Sequence, residues 1–434
     1  MFRPAIQKLY VLILMAGFCI VMTLVSFNSQ LDYEKPHYNQ KVNASNYMFD
    51  ALKVLRNEYL TIPNQKYDIG EEFEDSNKNG SYDIGEEFED GRPFSSLDPL
   101  ETGLIFYQDG LAGNPSSKLT TLNPSFAAFV IDLMIEAGIE TPENRKAQPK
   151  IAIALSSSFP GANLAVLSAC KAMDIEPIII TSLSGSNYGA LAYNEFSWLD
   201  MEKTLIENNI FPDTYNSQAV SIGKGGDSGI GLDSLIINEI KEAISKHNID
   251  FIYNEKETDL SYYIDRRMQI YDKNNDSAPY DLFINVGGGH ASIGTIDDIR
   301  RTPGVLSLSF LDGIYNNNED DCIMFRFSQS HKAPSLNIID ISNLVKDKLP
   351  IITLSNKNFN INWENNEWVS FDENNQLWRS KNNKSGILFI ERRYNFWVVI
   401  PCLLASLLVV LSIGIYSHFQ IKKRMTSYEP DSIT

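Results

Sequence analysis

Residues 151–190 read IAIALSSSFPGANLAVLSACKAMDIEPIIITSLSGSNYGA, and this stretch decides the fold class. PKIAIAL (149–155) is a short apolar run, the mark of a strand buried on both faces. SSSFPGAN (156–163) supplies small turn residues, and LAVLSACKAM after it has helical composition. EPIIITS (176–182) is a second apolar run. Strand, turn, helix and strand make a βαβ unit, whose crossover is right-handed.

The same alternation continues outward. Upstream, NPSFAAFVIDLMIEAG (123–138) has Asn123 at the cap, Pro124 at the first helical position and Gly138 at the stop. Downstream come a helix near 197–208, a strand near 217–222, the loop KGGDSGIG (224–231) and a helix over 232–246. DLFINV (281–286) reads as a strand, followed by GGGHASIG (287–294). SLNIIDI (335–341) and SNLVKDKL (342–349) give a final strand and helix. Short apolar strands between helices predict an α/β fold: a parallel sheet flanked by helices, Rossmann-like and three-layered.

In open parallel sheets, ligands bind beyond the carboxyl ends of the strands. Small-residue loops stand there. The expected ligand contacts are Ser156 and Ser157, Ser184 and Gly185, Gly225, Gly226 and Asp227, and Gly287, Gly288 and Gly289. Small side chains let backbone N–H groups approach an anion, and helix N-termini add partial positive charge. The expected ligand is a carboxylate. Nucleotide signatures fail, because GKGGDSGIG is not GxxxxGK[ST] and NVGGGHASIG is not GxGxxG. No nucleotide cofactor is expected. A covalent alternative puts Ser158 as nucleophile, with Ser156 or Ser157 in the same turn, His290 or His331 as base, and Asp227 orienting it. LSSSFPG lacks the GxSxG elbow, and a serine at a helix start also serves as a cap. In WLDME (198–202), Asp200 and Glu202 paired with another carboxylate would offer acid/base chemistry, but a solvated helix start explains them adequately.

Composition narrows the class. The 434 residues carry 55 acidic and 37 basic side chains, a formal net charge of −18, which excludes a general nucleic-acid binder. With 43% hydrophobic and 21% charged residues the chain is globular, not disordered. Four cysteines exclude a disulfide scaffold. Cys19 and Cys402 lie in terminal apolar runs, and Cys170 and Cys322 show no metal-ligand spacing but leave room for one optional disulfide.

Those runs are LYVLILMAGFCIVMTLVSF (9–27) and FWVVIPCLLASLLVVLSIGIY (396–416). Each is long enough to span a bilayer. No A-x-A cleavage site follows the first, so it reads as an uncleaved anchor. Arg3 and Lys8 before it and Asp32 and Glu34 after it place the N-terminus in the cytoplasm, and two spans return the C-terminus there. The expected order is a cytoplasmic tail (1–8), a membrane helix (9–28) and a juxtamembrane helix (29–63). An acidic insert (64–92), an extracytoplasmic α/β domain (93–350) and an irregular return (351–394) follow. A membrane helix (395–419) and a cytoplasmic tail (420–434) close the chain.

Within the insert, YDIGEEFED occurs at 67–75 and again at 82–90. Between the copies, residues 75–86 fit D-x-[DN]-x-[DN]-G-x5-E at every specified position. Oxygens of Asp75, Asn77 and Asn79 converge on a cation, and Gly80 makes the turn. The Ser81 carbonyl, Asp83 and Glu86 complete the shell, so a structural Ca2+ is expected.

On TGLI (102–105), TTLNPSFAAFVIDLMIEAG (120–138), the 151–190 stretch, FSWLDME (196–202), GGDSGIGL (225–232) and FINVGGGHASIG (283–294), the chain resembles the poly-gamma-glutamate system protein family. These are bacterial membrane proteins encoded beside poly-γ-glutamate synthesis and export machinery. The resemblance covers roughly residues 100–345 and leaves out the insert and everything after 345. It implies an accessory role in making, exporting or anchoring the polymer, with the synthase and export membrane proteins, the polyanion and the membrane as partners. It implies no catalytic mechanism. A chain of −18 repels a polyanion at long range, so contact needs local anion nests or bound cations. Alternatively, the domain touches only the synthase. A membrane-anchored hydrolase or transferase of γ-glutamyl bonds is the competing class. A small-ligand sensor is a third, for which the short tails leave little room.

Overall fold

The computed structural model describes residues 3–63, 67, 72–76, 78–88, 90–191, 196–276, 278–315, 321–355, 359–371, 377–379 and 387–427. It divides into two units, Met1–Lys35 with Ile390–Thr434, and Pro36–Phe389.

The first unit is a hairpin of apolar helices. Leu9–Phe27 and Phe396–Ser427 are each long and apolar enough to cross a membrane, and neither apolar window is buried inside the unit. They run antiparallel. The Ala5 and Ile6 N–H groups donate to Gln420 Oε1 (3.0 Å) and Ser417 Oγ (2.9 Å). At the other end, Phe27 and Tyr394 meet with ring centroids 6.1 Å apart. There Gln30–Glu34 pairs antiparallel with Ile390–Tyr394.

The second unit is the α/β body. Its strands are β1 (Ile151–Ser156), β2 (Ile178–Ser182), β3 (Ala219–Ser221), β4 (Asp250–Ile252), β5 (Leu282–Val286), β6 (Gly304–Leu306) and β7 (Ser335–Ile338). They form one sheet in the order β4-β3-β2-β1-β5-β7-β6. Every pair is parallel except β6 with β7, which is antiparallel. The sheet is therefore mostly parallel, with an edge strand running the other way. β1 through β4 are laid down in one direction, and the chain then returns to place β5 on the free side of β1. The β1–β5 boundary is the point where the order reverses.

Both faces are covered. Ala152, Ala154, Ile180 and Phe283 look toward Tyr263, Ile264 and Tyr271 of the Leu260–Asn274 helix and Phe325 and Phe327 of Ile323–Ser330. The other face carries Ser125–Glu136 and Pro160–Ala172, with Tyr38–Thr61 packed over both. Tyr38–Thr61 thus belongs to the body, burying Met48, Phe49, Leu52 and Leu55, where a juxtamembrane helix was expected. The stretch 351–394, expected to be irregular, contains a three-stranded antiparallel sheet of Phe359–Asn362, Glu367–Phe371 and Leu377–Arg379. Its Trp368 is fully buried and stacks on Phe49, centroids 5.0 Å apart. Tyr38 and Phe389, the two ends of the body, meet edge-to-face at 6.4 Å. The four cysteines are free, Cys170 and Cys322 both buried.

Candidate functional site

A cavity of about 410 Å³ lies at the carboxyl ends of β1, β2, β3 and β5, at the reversal of strand order. Its floor is Leu155, Ser156, Ser182, Asn285 and Val286. Ser158, Ser184, Gly185, Gly223, Gly225, Gly288, Gly289 and His290 are in its walls, and Leu111 and Ala112 close one side.

Each loop is held by its own hydrogen bonds. Ser156 Oγ accepts the Ser158 N–H (3.1 Å), and Asn163 Nδ2 donates to the Ser156 carbonyl (3.0 Å). The Ser157 N–H crosses to the Ser182 carbonyl at 2.9 Å. Gly287 has φ +92°, and a Cβ there would come within 3.1 Å of Ser156 Cβ, so the β1 and β5 loops meet only through glycine. Gly225 is under a similar constraint, with φ +64° and the Ile230 backbone nitrogen 2.5 Å from its would-be Cβ. Asn187 fastens the 106–112 segment over the β2 loop. Its side chain accepts from the Gln108 N–H (2.8 Å) and donates to the Gln108 and Leu111 carbonyls (both 3.0 Å).

The electrostatics are local and positive in a chain of −18. Lys224 and His290 line the cavity, and among the described lining residues there is no carboxylate. Arg300 braces the glycine loop, donating to the Gly288 and Gly294 carbonyls (both 3.1 Å). The Gly288 and Gly289 N–H groups have no protein acceptor among the described residues. A pocket of hydroxyls, backbone N–H groups, an imidazole and the Lys224 ammonium is suited to an anion.

The sequence candidates divide accordingly. Ser156, Ser158, Ser184, Gly185, Gly225, Gly288, Gly289 and His290 reach the cavity. Ser157, Gly226 and Asp227 are buried behind its wall. Asp227, read as a ligand or orienting group, is 1% exposed and paired with Arg267 (2.6 Å), also 1% exposed. Arg267 Nη2 donates to Asp227 (2.9 Å), Ser182 Oγ (2.9 Å) and Ser221 Oγ (2.5 Å). The pair ties the Leu260–Asn274 helix to the β2 and β3 ends and fixes the 224–231 loop from below. Ser158 Oγ accepts the Ser186 N–H at 3.0 Å. His331 packs against Tyr280 and Phe327, with Asp272 at 3.2 Å, away from the cavity lining. Glu202 of WLDME, expected to be solvated, is buried and accepts from Ser217 and Trp198.

Sequence reasoning missed Lys118 and Ser186. Lys118, on the Pro115–Thr121 helix, is 3% exposed. Its Nζ lies 2.9 Å from Ser186 Oγ, bonds the Ser158 carbonyl and sits 3.2 Å from the Phe159 ring centre. Burial lowers its pKa well below the usual lysine value. No local motif marks either residue; TTLNP downstream of Lys118 reads only as a helix boundary.

In the acidic insert, Asn77 lies outside the described residues. Asp75 accepts the Asn79 (3.0 Å) and Gly80 (2.8 Å) N–H groups, and Gly80 makes the turn at φ +78°. Glu86 spans the loop, accepting the Ser76 and Asp83 N–H groups, both at 2.9 Å. Asn79 donates to Asp83 (2.7 Å) and accepts the Ser81 N–H (2.7 Å). The loop is closed by these bonds, and among the described residues no three acidic, His or Cys side chains are grouped around a metal position.

No family model, curated protein or solved structure matches the chain.

Proposed function

We propose that the chain is a membrane-anchored accessory component of a bacterial poly-γ-glutamate synthesis and export system, whose α/β body lies outside the cytoplasmic membrane and binds a carboxylate. The observation that carries the binding role is the carboxylate-free cavity at the strand-order reversal, walled by serines, glycine N–H groups, Lys224 and His290. The pathway rests on the resemblance of residues 100–345, and the topology on the charges flanking two apolar helices. The partner proposed for this face is a polyanion or the synthase.

Calorimetric titration of the full chain in detergent with γ-glutamyl-glutamate tests the reading. The dipeptide should bind, and its triamide, with all three carboxylates amidated, should not. Lys224→Glu should weaken binding by several-fold to about tenfold, and added salt should do the same. Equal binding of the triamide would remove the carboxylate reading.

The insert is proposed as a structural calcium loop, held by the oxygens of Asp75, Asn79, Asp83 and Glu86 with the Ser81 carbonyl and Asn77. Hard carboxylate, amide and carbonyl oxygens are the donors calcium takes. Calcium should protect the 64–92 segment from proteolysis. Asp75→Ala and Glu86→Ala should each abolish that protection, and protection unchanged in both variants would refute the assignment.

A further inference from the structure

The carboxylate reading gives no chemical role to Lys118 or Ser186, whose side chains meet at 2.9 Å beside the cavity. We propose that Ser186 Oγ and Lys118 Nζ are the nucleophile and base of an acyl-transfer centre that cleaves an amide bearing a nearby carboxylate. The substrate class rests on the binding reading above; the pairing of the two side chains does not.

The two atoms are 2.9 Å apart, within reach for direct proton transfer. Ser186 is half-buried and lines the cavity, so its hydroxyl is reached from the ligand side and from the Lys118 side. Lys118 is on the far side of that wall, 3% exposed. The partners the structure gives its Nζ are the Ser158 carbonyl, Ser186 Oγ and the face of Phe159, and among the described residues no carboxylate reaches it. A buried ammonium without a counter-ion is costly, which favours the neutral amine that a base requires. The nucleophile's backbone is fixed as well, because the Ser186 N–H is bonded to Ser158 Oγ (3.0 Å) and Asn187 pins the next residue. This assigns Ser158 to positioning and Ser186 to attack.

The chemistry balances without a cofactor. The Ser186 hydroxyl proton passes to Lys118 Nζ as Oγ bonds to the amide carbon. Collapse of the tetrahedral adduct breaks the C–N bond, and Lys118 returns the proton to the departing amine. Water, or a second amine in a transfer reaction, then attacks the ester. It gives its proton to Nζ, and Ser186 recovers it as the acyl group leaves. The cavity's Gly288 and Gly289 N–H groups, which lack protein acceptors among the described residues, can receive a developing oxyanion.

The test uses the full chain in detergent and a fluorophosphonate probe. One adduct per chain is expected, located by mass spectrometry on Ser186. Ser186→Ala should abolish it. Lys118→Arg keeps a long basic side chain but, as a permanent guanidinium, cannot accept the proton, and should slow labelling by roughly 10²–10⁴-fold. Ser245→Ala, on an outer helix, should label at the normal rate. Absence of an adduct, an adduct elsewhere, or Lys118→Arg labelling at the normal rate would overturn the assignment. If Lys118→Arg fails to fold, Ser186→Cys decides: its alkylation should report a thiol pKa below the ordinary value of about 8.5, and an ordinary value overturns the pairing. Dipeptide titration keeps the two readings apart. Binding without labelling would sink the nucleophile and leave the carboxylate site. Labelling without dipeptide binding would do the reverse.

Discussion

Arg267→Met is expected to lower the stability of the α/β body by about 3–5 kcal/mol, the usual cost of stranding one half of a buried ion pair. Arg267 and Asp227 are each about 1% exposed, and the guanidinium also bonds Ser182 and Ser221. Methionine fills the volume but leaves the buried Asp227 carboxylate with Ser221 Oγ (2.8 Å) as its remaining side-chain partner among the described residues. Asp227 is also held at φ +77°, a conformation the 224–231 loop needs. Adding Asp227→Asn removes the stranded charge with a residue that tolerates positive φ, so the double variant should recover much of the loss. Urea unfolding followed by circular dichroism measures both. An unchanged midpoint for Arg267→Met would show that the pair contributes little.

The second large effect is on pH dependence. Burial pushes the Glu202 carboxyl from 4.5 up to about 7, with the bonds from Ser217 and Trp198 pulling it partly back. The folded state therefore binds this proton more tightly than the unfolded chain. Stability from this group is fully present below about pH 4.5 and is lost as pH rises through about 7. The loss across that window is about 3 kcal/mol. Burial likewise raises Asp98 to about 6, in the same direction. His331 opposes them: burial lowers its pKa, so its protonation destabilises the fold as pH falls below about 6.5. The difference between wild type and Glu202→Gln isolates the one carboxyl, because the other groups titrate in both. That difference should shift against the wild type by about 3 kcal/mol between pH 4.5 and 8. A pH-independent difference would show that the Glu202 pKa is the same in the folded and unfolded chain.

The central strands were legible because they are apolar on both faces. IAIAL and FINV cannot be exposed anywhere, and the loops after them are rich in glycine and serine. β4 and β6 were missed for a physical reason: each is three residues long, and Asp250 is exposed at a sheet edge. The 351–394 strands were hidden by asparagine-rich sequence, yet Trp368 made the sheet's buried anchor. The loops that line the cavity were legible as small-residue turns. The charges around it were not, because charge acts through burial and through partners distant in sequence. Asp227 looks like a ligand until Arg267, 40 residues on, neutralises it. Lys118 looks like a surface lysine until it is packed 68 residues from Ser186. WLDME reads as a solvated helix start, but Ser217 reaches back to make Glu202 an interior group.

Gln30–Glu34 and Ile390–Tyr394 are the only two routes by which the polypeptide enters and leaves the body, and they are zipped together. The body is thus an insertion within a closed clasp rather than a bead on one string. Severing either connection leaves it tethered by the other. A protease would have to cut both connections to release it.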